Sequence, residues 1–86
     1  MTHYSSKLKY GVTDLGQATA LVCTGHQVVD LLPNPNSDRV TFYFEPSNEL
    51  DKTANAYWTG ELTVGAKQYS QEMKNLKSRL YSLRRP

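Results

Sequence analysis

The sequence predicts an α+β domain in the order β-α-β-β-α-α: a small three-stranded sheet with helices packed on one face. Three observations carry this prediction. Val40, Phe42 and Phe44 alternate with Arg39, Thr41, Tyr43 and Glu45, the period-two pattern of a strand with one buried face. Tyr69, Met73, Leu76, Leu80 and Leu83 recur at alternating spacings of four and three, which places them on one stripe of a helix. Glycines and prolines (Gly25, Pro33, Pro35, Pro46, Gly60) fall between the patterned segments, where turns belong.

Each element follows in order. Residues 1–7 read as a flexible leader, and residues 8–86 as one domain. Leu8, Tyr10 and Val12 alternate with Lys9 and Gly11, giving a short first strand. Asp14 is a good helix N-cap, with Gln17 at the capping-box position. Leu15, Ala18, Leu21 and Val22 then recur at helical spacing until Gly25 supplies a left-handed stop, so the first helix spans residues 15–24. Residues 26–32 are too short for another helix and rich in Val and Leu. They form a strand that pairs, across the two-proline loop, with the strand over residues 39–45 as an antiparallel hairpin. Ser47 caps a second helix on which Leu50, Ala54, Tyr57, Trp58 and Leu62 make one face, with Gly60 near its end. The third helix spans residues 65–83.

Length and composition bound the function. A chain of 86 residues makes one domain, and a domain of that size buries only about 60% of the surface its unfolded chain exposes. Its core is small, and a homodimer is compatible with the chain. The stripe from Tyr69 to Leu83 has two destinations, the domain's own sheet or a second copy; the sheet is favoured because it needs cover. Apolar residues make up 38% of the chain and charged residues 21%, outside the composition of disorder. No apolar run approaches the roughly 18–20 residues of a membrane span. The N-terminus has no apolar block resembling a secretory signal, and the single cysteine, Cys23, excludes an intramolecular disulfide. A cytoplasmic location is the expectation. Charge is divided unevenly: from Lys67 onward six bases face one acid, Glu72, while the preceding residues hold four bases and seven acids.

With these elements placed, a family pattern emerges. Tyr10-x-x-Thr-Asp14, then Ala18, Leu21 and Gly25, resembles the opening of a family of small prokaryotic and phage proteins known only as a domain of unknown function. The resemblance continues through Arg39-Val-Thr-Phe-Tyr-Phe44-Glu, Tyr57-Trp58-x-Gly-Glu-Leu-Thr-Val64 and Leu76-Lys77-Ser-Arg-Leu-Tyr81. Gly16 and Gln17 depart from it, standing where larger apolar or helix-favouring residues are expected. The resemblance implies no activity. It does imply a bacterial or viral setting, often in mobile DNA.

Residues that bear chemistry are sparse. Cys23 and His26, with His3, fall short of a zinc ligand set, which wants four ligands or three and a water. Cys23 lies late in its helix, away from the N-terminus where a helix dipole lowers a thiol pKa. There is no nucleophile elbow and no glycine-rich phosphate loop. Glu49 and Asp51 suit the N-terminal dipole of the second helix. The expectation is therefore a non-enzyme without cofactor or metal.

Two surfaces remain as binding candidates. The aromatics Phe42, Phe44, Tyr57 and Trp58 read as core rather than as base-stacking platforms. Thr41 and Tyr43 lie on the opposite face of their strand, uncovered if the helices occupy one side of the sheet and so available to a protein partner. On the third helix Lys67, Lys74 and Tyr81 are seven residues apart, Arg85 lies four further on, and Lys77 and Arg84 flank the row. Such a row of cations suits a phosphate backbone. The expected function is a non-enzymatic binding module of bacterial or phage origin acting through protein–protein interaction, with a host factor as one candidate partner. The alternative is sequence-independent nucleic-acid binding through Lys67, Lys74, Lys77, Tyr81, Arg84 and Arg85. The sequence leaves both open.

Overall fold

The strand Val40–Phe44 (β3) is the centre of the domain, because its unbroken alternation gives it one face to bury and its position gives it two neighbours. In the computed structural model, which describes residues 9–84, it pairs antiparallel on one side with β1 (Tyr10–Val12) and on the other with β2 (Val28–Pro33). The sheet order is β1-β3-β2. Three helices complete the chain: α1 (Leu15–Cys23) between β1 and β2, then α2 (Asn48–Thr59) and α3 (Ala66–Arg84). The order is the predicted β-α-β-β-α-α. The leader over residues 1–7, and with it His3, lies outside the described residues, as do Leu8 and Arg85.

Register sets the layers. Val12, Phe42 and Leu31 lie side by side across the sheet, as do Tyr10, Phe44 and Val28. All six contribute to one apolar layer, in which Phe42 and Phe44 are the largest buried side chains. β2 carries an irregularity between Val28 and Asp30, which leaves Val29 as an unpaired, exposed residue. This bulge and Pro33 blunt the β2 edge against further strand addition.

α1 packs against both other helices, and Ala18 and Leu21 are fully buried on it. Its caps follow the sequence. Asp14 accepts a hydrogen bond from the Gln17 backbone N–H at 2.8 Å, and Gly25, at φ 102°, takes the left-handed conformation just past the helix end. α2 adds Leu50 and Ala54 to the core, α3 adds Leu76, and Leu80 packs against them. Ser47 caps α2 by accepting from Leu50 N–H at 3.0 Å, and Gly60, at φ 80°, ends it.

Three local expectations are corrected. Trp58 was expected in the core but is 63% exposed. At 100° per residue it lies about 80° around α2 from Leu50, at the edge of the apolar stripe rather than within it. Leu62 was expected on the same helix, but α2 stops at Thr59, so Leu62 is half-buried in the following loop. Gln17 does not use its side chain to close a capping box: its amide is buried and donates from Nε2 to the Ala54 carbonyl of α2 at 3.2 Å. This bond ties α1 to α2 and accounts for a polar residue at an interior position. Gly16 likewise allows the hydroxyls of Tyr57 and Tyr69 to approach α1, since an added Cβ would lie 2.6 Å and 3.1 Å from them. The two departures from the family pattern are thus both packing devices.

Candidate binding surfaces

The face of the sheet opposite the helices is built around β3. Thr41 and Tyr43 point to this face, and their cross-strand partners share it: Gly11 beside Tyr43 on β1, Asp30 beside Tyr43 and Leu32 beside Thr41 on β2. Tyr43 and Thr41 are half-buried rather than open, for a local reason. Gly11 has no side chain, and both neighbours fill the space above it. A Cβ there would meet Thr41 Cγ2 at 3.0 Å and the Tyr43 ring at 3.1 Å. Lys9 and Asp30, flanking β3 from its two sides, form an ion pair at 3.2 Å. The Leu31 backbone N–H, then the Lys9 ammonium, hold the Asp30 carboxyl below its ordinary pKa. Leu32 is 47% exposed beside Thr41. The result is a flat surface with an aromatic centre, an apolar edge and both signs of charge.

The second surface is the outer side of α3. Lys67, Lys74 and Lys77 are all exposed there, and none is paired with a carboxylate among the described residues. Tyr81, on the same side, is 70% exposed. At 1.5 Å rise per residue, Lys67, Lys74 and Tyr81 stand about 10 Å apart along the helix. The inward side carries Leu76, fully within the core, and half-buried Tyr69, Met73 and Leu80, so the basic row is free of packing duties. Arg84 is the last residue of α3, with only its backbone described. The structure therefore brings together four of the six residues proposed for phosphate contact.

Cys23 is half-buried at the end of α1, and burial, then the Glu72 carboxylate, push its thiol pKa above the ordinary value. A thiol so placed is less nucleophilic at neutral pH than a free one. Among the described residues no group of three or more His, Cys, Asp or Glu is placed to hold a metal ion. No helix among them is long and apolar enough to cross a membrane.

A third feature escaped the sequence reading. Trp58 stacks edge-to-face on Tyr57, with ring centroids 5.0 Å apart at 78°. The Tyr57 ring also walls a cavity of about 380 Å³ lined by Ala20, Leu62, Val64, Ala66 and Tyr69. Two hydroxyls anchor it from behind: Tyr57 donates to Asp14 Oδ1 at 3.4 Å and Tyr69 to the Gly16 carbonyl at 3.3 Å. Burial, then the neighbouring Asp14 and Tyr69, raise the Tyr57 pKa. The signal in the sequence was the Tyr57-Trp58 pair itself, since two adjacent helical residues cannot both face the core squarely.

A family model for a domain of unknown function, DUF5659, matches residues 7–82, a span that runs from before β1 to near the end of α3. The chain belongs to this family. DUF5659 membership covers the sheet face, the Trp58 cavity and the α3 row from Lys67 to Tyr81 but not Arg84, and attaches no activity to any of them. No curated protein and no solved structure matches the chain.

Proposed function

We propose that this DUF5659 domain is a non-enzymatic binding module that recognises another protein through the open face of its sheet. The observation that supports this reading most is the composition of that face. Tyr43 sits at its centre over Gly11, Leu32 is exposed at its edge, and the Lys9–Asp30 pair supplies both charges. Mixed charge around an aromatic and apolar centre suits a protein surface; a phosphate backbone asks for one sign throughout. A cytoplasmic bacterial or phage setting, with a host factor as partner, completes the proposal. The test is affinity capture from nuclease-treated bacterial lysate by the wild type and by Thr41→Arg. A protein retained by the wild type and lost with Thr41→Arg supports the reading. Equal retention by both, or retention of nothing after nuclease treatment, overturns it.

One observation favours a second reading: on α3, Lys67, Lys74 and Lys77, which have no carboxylate partner among the described residues, stand with exposed Tyr81. Contact through this row would neutralise phosphates without reading bases. Binding to duplex DNA would then fall with salt by about 0.9 log unit per phosphate contact. Replacing all three lysines by glutamine would flatten that slope. Anisotropy titrations of wild type and triple variant at several salt concentrations measure it, and no binding by the wild type at low salt ends this reading.

A further inference from the structure

The outer side of α3 carries a feature that contact with a duplex backbone leaves unused. Tyr81 stands at a recess of about 270 Å³ lined by Leu15 of α1 and by Lys77, Leu80 and Tyr81 of α3. Leu15 and Leu80 are half-buried and packed on the core, so the recess has fixed apolar walls, while the Tyr81 ring is 70% exposed. Lys74, Lys77 and Tyr81 follow one another at three and four residues, which sets two cations and the ring on one ridge of the helix. That ridge presents one sign of charge. Glu72 is the one acid in the sequence of α3. At 3.6 residues per turn it lies about 160° around the helix from Lys74 and about 140° from Lys77. It lines a different cavity, with Val22 and His26, and accepts a hydrogen bond from Asn75 Nδ2 at 3.3 Å. Asp14, which precedes Leu15, is taken up by the Gln17 N–H and the Tyr57 hydroxyl.

We propose that this ridge binds single-stranded nucleic acid, with one unpaired base in the recess against the Tyr81 ring and the adjoining phosphates on Lys77 and Lys74. The proposal rests on the α3 reading and narrows it from any phosphate backbone to a strand whose bases are free to leave the stack. An aromatic ring, apolar walls and a neighbouring cation match what an unstacked nucleotide offers: a π-face and a charge beside it. In a duplex the bases are paired and stacked inside, so its phosphates could reach the lysines but the recess would stay empty. Leu15 and Leu80 carry no group that reads a base edge, so stacking here would tolerate any base.

The test is fluorescence anisotropy of the full chain at low salt with labelled oligo(dT), oligo(U) and a DNA duplex of equal length. The duplex carries the higher charge density, so electrostatics alone predicts that it binds most tightly. The expected result is the reverse order, with at least one of the single strands bound at least about fivefold more tightly than the duplex. The difference between the two single strands then identifies DNA or RNA as the source. Tyr81→Ala should weaken single-strand binding by at least about fivefold, and Tyr81→Phe, which keeps the ring, should retain it. Circular dichroism melts confirm that both variants are folded. A duplex bound as tightly as either single strand, or a single-strand preference indifferent to Tyr81→Ala, overturns the proposal and leaves the α3 reading standing. No binding of any of the three nucleic acids ends both together.

Discussion

Gly16 of α1 and Tyr57 of α2 are packed so closely that the glycine position has no room for a methyl group: a Cβ there would lie 2.6 Å from the Tyr57 hydroxyl oxygen. In an exposed helix interior, alanine is favoured over glycine by about 1 kcal/mol. Here the sign should reverse. Gly16→Ala forces the Tyr57 hydroxyl away from Asp14 and crowds Tyr69, and overpacking of this kind costs about 1–3 kcal/mol. In a Tyr57→Phe background, which lacks that hydroxyl, the same substitution should cost measurably less. Urea unfolding of the four proteins gives the coupling directly. A stabilising Gly16→Ala in the wild-type background would contradict the packing described.

The two faces of β3 should differ sharply in what they contribute. Phe42→Ala empties a core position and should cost about 3–5 kcal/mol, a large share of a small domain's stability. Tyr43→Ala removes a half-buried ring resting over Gly11 and should cost about 1 kcal/mol, in the range of a cross-strand pair. Thermal melts distinguish the two; equal losses would contradict the difference, and a larger loss at Tyr43 would mean that the faces are reversed.

Asp30 gives a prediction in pH. Its folded pKa is lowered, first by the Leu31 backbone N–H and then by Lys9. A depressed carboxyl stabilises the fold above its unfolded pKa, and that contribution disappears as pH falls through the folded value. NMR titration of the side-chain carboxyl should therefore find a midpoint below the ordinary 3.8. Lys9→Met should move the midpoint up without abolishing the shift, because the Leu31 bond remains. A midpoint at or above the ordinary value would remove the ion pair from the open face.

Cys23 should behave as a protected thiol. Its pKa is raised by burial and then by Glu72, so the thiolate fraction at pH 8 is smaller than in the unfolded chain. Alkylation by iodoacetamide should be slower in the folded protein than in urea and should accelerate as pH rises past 9. Glu72→Gln should speed it moderately. Faster reaction in the folded state than in urea would mark an activated cysteine and reopen the question of catalysis.

These cases also show what can be read from the chain and what cannot. β3 was readable because its alternation is unbroken from Val40 to Phe44, and a slip of one residue would expose three apolar side chains at once. The basic row of α3 was readable because helical spacing places Lys67, Lys74 and Tyr81 away from Leu76 and Leu80 whatever the helix packs against. The exposure of Trp58 is not legible in the sequence because it depends on where α2 ends, and Gly60 ends it before Leu62 can extend the stripe. Gln17 reads as a local cap because the sequence shows only its neighbours, while its partner, the Ala54 carbonyl, is 37 residues away. The Gly11 hollow that half-buries Tyr43 belongs to the same class. It arises from strand register, which sets Gly11 beside Tyr43, and not from either segment alone.

The central claim is that the open sheet face meets a protein partner, and site-specific photocrosslinking tests it most directly. A benzophenone amino acid at Leu32, which is exposed beside Thr41, reports on that face; the same group at Lys74 reports on α3. The expected result in bacterial lysate is a protein adduct from position 32 that survives nuclease and is lost when Tyr43→Ala is added. No adduct from position 32, with nuclease-sensitive adducts from position 74, would contradict the claim and transfer the function to α3.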